Sequence, residues 1–147
     1  MTVSTEQQEL IDLLRNELAE ILGGDSATIE SCDAQAQKDV LEELHTYAEN
    51  FGNAAQLVGL SGLWRTCEHL ANNFQLLLGQ PGELHKSQQG LVKSWAVLLL
   101  GYLQYFGDDA HVNKAVDELL GFLADPAWPE PIRLNDLDNL REDFKHS

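Results

Sequence analysis

Residues 45–70 read HTYAENFGNAAQLVGLSGLWRTCEHL, an amphipathic run, a Gly-Leu turn and a second amphipathic run. Upstream of the turn, Val40, Leu41, Leu44, Ala48, Phe51, Ala55 and Val58 recur on one face of a long helix that Gly59 closes. Downstream, Leu63, Trp64, Cys67, Leu70, Ala71, Phe74, Leu77 and Leu78 draw a second stripe, with Ser61 placed to cap it and Gly79 and Pro81 to end it. Two stripes joined by so short a turn must face each other. The spacing therefore predicts an antiparallel hairpin with Phe51, Ala55, Trp64, Cys67 and Leu70 in one core.

The flanking sequence extends this pattern. Ser4 and Thr5 followed by Glu6 and Gln7 predict a helix start, and Leu10, Ile11, Leu14, Leu18, Ile21 and Leu22 keep helical spacing until Gly23-Gly24. Asp25 to Ser31 reads as a short polar connection. A fourth helix is expected from near Glu83 to Gly107, through Leu91, Val92, Trp95, Leu98, Leu99, Tyr102 and Phe106. Its second half is apolar nearly all round, which fits a central helix or one with a face left for a partner chain, as in a homodimer through the fourth helix. Asp108 or Asp109 is placed to cap a fifth helix with Val112, Ala115, Val116, Leu119, Leu120 and Leu123 inward. DPAWPEP holds three prolines within six residues and cannot be helical, and Trp128 is expected to pin it to the core. Leu134, Leu137, Leu140 and Phe144 then mark a last amphipathic piece, docked or opening a linker. The expected organisation is a helical unit over residues 1–125 and a Pro-containing turn with a C-terminal helix over 126–147, all-α throughout.

Composition limits what such a unit can do. The 147 residues carry 24 acidic against 9 basic side chains, a formal charge of −15 that repels phosphate backbones and anionic lipid surfaces. No nucleic-acid partner is expected on this ground, and a protein partner fits better. The apolar stretch from Trp95 to Phe106 is too short to span a bilayer, so no membrane insertion is expected. MTVSTEQQEL lacks the regions of a signal peptide, and Cys32 and Cys67 make no disulfide framework, so a cytoplasmic location is expected.

The helix order, and above all AENFGNAAQLVGLSGLWRTCEHLANNF, resembles the histidine-containing phosphotransfer (HPt) domain of bacterial two-component and chemotaxis-type signalling. The family is an antiparallel four-helix bundle with an additional N-terminal helix. Its motif is a histidine with lysine and glycine three and four residues on, then small residues, then glycine at the turn. With Gly59-Leu60 set on that turn, Ala54 and Ala55 take the small positions and Leu63 and Leu70 the inward positions of the third helix. Glu49 then stands where the phosphorylated histidine belongs, Gly52 where the lysine does and Asn53 where the glycine does. The resemblance implies a degenerate HPt-like module, with no phosphoryl transfer of its own, that recognises a response-regulator receiver domain or a histidine kinase module. It is also compatible with a domain of a larger chemotaxis-type or hybrid kinase.

The chemistry of the substituted position follows from residue type. Phosphotransfer needs an imidazole nitrogen that attacks an acyl phosphate and holds the phosphoryl group as a labile phosphoramidate, which a glutamate cannot do. At about 100° per residue, Glu49 points roughly 120° from the buried face of its helix. His45, Gly52 and Gln56 share that flank, so His45, Glu49, Gly52, Asn53 and Gln56 form the candidate partner-binding surface. Gly52 either provides a flat spot there or packs against another helix of the chain. His45 is the alternative phosphoacceptor, and a helical adaptor or dimerisation bundle is a further reading. His69 is expected to be exposed opposite the apolar stripe, and His85, His111 and His146 to lie near helix ends. Glu42-x-x-His45 is a single copy of a unit that di-iron bundles use in pairs, so no metal or other cofactor is expected.

Overall fold

The computed structural model describes residues 4–145 and, of residues 25–27, the backbone alone; within these limits the chain is all-helical, without a strand. Helix α1 (Thr5–Leu22) opens on a capping box, in which the Gln7 amide donates to Ser4 Oγ and the Ser4 amide to Gln7 Oε1. Gln7 Nε2 also donates to the Val58 carbonyl at 2.8 Å, which ties the start of α1 to the end of α2 (Ala34–Leu57). Ile11, Leu14, Leu18 and Ile21 are buried as their spacing requires. The segment Asp25–Ser31, expected as a polar connection, is instead a 3₁₀ helix that buries Ile29 completely. Gln37 explains why it is ordered: its side chain donates to the carbonyls of Ile29 and Cys32 and accepts from the Leu84 amide at 2.8 Å.

The turn between α2 and α3 (Ser61–Leu78) is built as the sequence predicts, with one correction. Gly59 sits at φ +81°, a conformation that disfavours any side chain, and the Leu60 amide reaches back to the Ala55 carbonyl at 2.9 Å. Leu60 is fully buried and is itself the residue that precedes α3, so Ser61 does not cap the helix. An inward hydrophobic anchor has taken the place of a hydroxyl cap. Phe51, Ala55, Cys67 and Leu70 are buried between the two helices. Trp64 is only half-buried at their edge, where the Arg65 guanidinium lies 4.6 Å from its ring.

Helix α4 (Lys86–Gln104) starts later than expected because His85 and Gln88 form its cap, the His85 amide donating to Gln88 Oε1. It also stops earlier, with Gly107 at φ +87° in the following turn. Leu91, Val92, Trp95, Leu99, Tyr102 and Leu103 are all buried, so α4 is central, packing on α1 and on α5 (Val112–Leu123), while Val97 stays exposed. Asp108 shapes the turn before α5 by accepting from the Ala110 amide, but α5 begins after His111 without a side-chain cap. Asp109 stays exposed.

Residues 125–133 form the non-helical strap that the prolines predict. Trp128 is buried, donates Nε1–H to the Phe122 carbonyl at 2.9 Å, and meets Phe74 and Phe122 edge to face. Helix α6 (Leu134–Lys145) is docked and does not open a free linker within the described residues. Leu140 and Phe144 are buried, and Phe144 lies so close over Gly62 of α3 that a Cβ there would have no room. Leu134, expected on the inward side, is exposed.

Candidate functional site

The outer flank of α2 and the adjoining edge of α3 bound a shallow groove of about 360 Å³. From α2 come His45, Ala48, Glu49, Gly52 and Asn53. Glu49 is the most exposed part of this wall that carries charge, with 56% of its side chain accessible against 22% for His45. Its carboxylate is 3.2 Å from His45 Nδ1, one helical turn back, so the two act as one polar unit on the rim. Asn53 is exposed beside them, whereas Gln56, also exposed, does not line the groove.

Gly52 resolves the alternative left open by its position. It is buried, and a Cβ there would lie 3.2 Å from Cys67 Cβ, tighter than ordinary contact. Its role is close approach of α2 to α3 at the floor of the groove, and it is not part of an accessible flat surface. The residues that the α2 pattern could not supply come from α3: Trp64, Glu68, Ala71, Asn72 and Gln75. Their signal is present in the sequence as a stripe at helical spacing beside the apolar one, but it becomes a wall only when the hairpin packs. Cys67 beneath it is fully buried, and burial pushes its thiol up to about 12, which leaves it an inert packing group.

Two further hollows flank α6. The larger, of about 760 Å³, lies between α3 and α6 and is rimmed by Glu68, Asp136, Glu142 and Asp143 with Arg65 and His69. The smaller, of about 420 Å³, lies between α4, α5 and α6, and its cations are already engaged: Arg141 pairs with Asp117, and Lys145 with Glu142. No cluster of His, Cys, Asp or Glu suited to a metal ion occurs among the described residues.

His69 departs from expectation. It is largely buried, with Nε2 3.1 Å from Asn73 Nδ2, and burial lowers its pKa despite the opposing pull of Glu130, the Leu123 backbone and Asp136. His85 and His111 do stand at helix starts, and His146 lies outside the described residues. No helix among the described residues is long and apolar enough to cross a membrane. No family model matches the chain, and neither the curated proteins nor the solved structures give a match.

Proposed function

We propose that this chain is a degenerate HPt-like four-helix bundle of bacterial two-component signalling, which binds a receiver domain or kinase module and transfers no phosphoryl group. The observation that carries this reading is the exposed Glu49 carboxylate at the position that an HPt domain gives to its reactive histidine, on the rim of the α2–α3 groove. A carboxylate there cannot form a phosphoramidate, but it can meet a cation or a hydrogen-bond donor on a docked surface. The turn at Gly59-Leu60 and the inward Phe51, Ala55, Leu63 and Leu70 support the same alignment.

Incubation with a phosphorylated receiver should leave no acid-labile label on the protein, while titration with receiver and kinase modules, with and without divalent cation, should detect binding. Asn53→Arg is the informative block, because Asn53 is exposed on the groove, whereas Gly52→Arg would force α2 from α3. Binding that Asn53→Arg and Glu49→Arg both leave unchanged would sink the reading. One contact favours the alternative phosphoacceptor: Glu49 engages Nδ1 of His45, which leaves Nε2 as the nucleophilic nitrogen. Labelling that disappears in His45→Ala would select that alternative.

A further inference from the structure

Asn73 is fully buried on α3 and spends its amide on the strap 57 residues away. Its Oδ1 accepts from the Glu130 amide at 2.9 Å, and its Nδ2 donates to the Glu130 carbonyl at 3.1 Å. Turning the amide over would set donor against donor and acceptor against acceptor, so the backbone of Glu130 fixes which end is nitrogen. That choice propagates. The same Nδ2 also donates to the His69 carbonyl at 3.1 Å and lies 3.1 Å from His69 Nε2, so its second hydrogen is shared between that oxygen and the ring, and at the ring it is met by a nitrogen lone pair. The tautomer that this contact favours has Nε2 unprotonated and the ring proton on Nδ1. The backbone of Leu123, at the end of α5, lies where it favours a proton on the ring. Neutral His69 thus joins the hydrogen-bonded chain from α3 to the strap, and Asn72 reinforces it by donating to Glu130 Oε2 at 2.9 Å.

We infer that His69 and Asn73 form an acid-released latch: protonation of Nε2 sets two donors face to face, and the strap of residues 125–133, with α6 behind it, lets go of α3. The charged groups around the ring are Glu130 from the strap, Asp136 from α6, and Arg65 and Glu68 from α3, with Glu142 and Asp143 across the hollow; α5 contributes the Leu123 backbone. Glu130 and Asp136 favour the imidazolium, but burial opposes it and outweighs them. The sign follows. A histidine held below its ordinary value of about 6.5 contributes fully above that pH, and its contribution is lost as pH falls from there toward the folded-state value, because the open form takes up the proton first.

The test combines a histidine NMR titration with hydrogen exchange of the full chain at pH 7.5 and pH 5, corrected for the intrinsic pH dependence of exchange. His69 should show the Nδ1–H tautomer and titrate below the ordinary histidine range. Residues 125–145 should lose protection at pH 5 while the α2–α3 hairpin keeps its own, and His69→Gln should abolish that difference. Asn73→Asp gives a readout in the wild-type histidine: a carboxylate facing Nε2 accepts its proton, so His69 should titrate higher than in the parent. If His69 titrates at or above the ordinary range, if strap protection is the same at both pH values, or if His69→Gln retains the full pH dependence, the latch is overturned. Should His69→Gln fail to fold, the titration and Asn73→Asp decide it.

Discussion

The α2–α3 hairpin and the strap with α6 are held to the same helix by different physics. The hairpin is closed by apolar burial: Phe51, Ala55, Leu60, Cys67 and Leu70 are inside, and Gly52 lets the backbones approach. Such contacts are distributed over many atoms and carry no charge, so they are insensitive to pH and costly to break. The strap and α6 also have apolar pins in Trp128, Leu140 and Phe144, but the strap's register on α3 is set by one buried amide, which an imidazole of the same helix contacts. Directional bonds of that kind specify a position well and are lost together when one member changes state. A region built the first way suits a constant docking surface, and a region built the second way suits a part that moves.

Three substitutions probe that contrast, in order of expected effect. Phe51→Ala should cost about 3–5 kcal/mol and unfold the hairpin and strap together, as a single cooperative loss in urea denaturation. A transition in which the strap outlasts the hairpin would mean that the strap does not depend on it. Asn73→Ala removes both bonds to Glu130 and should cost about 1–3 kcal/mol, with loss of hydrogen-exchange protection confined to residues 125–145. Equal loss in α2 would erase the distinction between the two regions. Glu49→Gln should shift stability by less than about 0.5 kcal/mol, because the carboxylate is exposed and its ion pair lies within its own helix, while altering the metal dependence of the receiver binding proposed for the groove. A large drop in melting temperature would show that Glu49 holds the fold and does not serve the groove.

Much of the hairpin was legible because its information is local. A 3.6-residue period, a glycine at φ +81° and a buried stripe are all encoded within neighbouring residues of one chain segment. The capping box at Ser4 and Gln7 and the pinning of Trp128 could be read for the same reason: residue type and immediate context suffice. Helix starts are less legible where a hydroxyl or carboxylate offers itself as a cap, at Ser61 and Asp109, because burial of Leu60 and the turn around Asp108 take precedence.

By itself, then, the sequence determined the all-helical class, the α2–α3 turn, the non-helical strap and the exposed carboxylate at Glu49, all consequences of periodicity, backbone preference and charge. Only the tertiary structure decided that Gly52 is a floor and not a surface, that α3 supplies the second wall of the groove, and that α6 docks through Phe144 on Gly62. It alone also brought His69 and Asn73 to Glu130. The reason is separation along the chain: a polar residue's helical position says which way it points, but the partner it meets 57 residues on is fixed only when the elements pack.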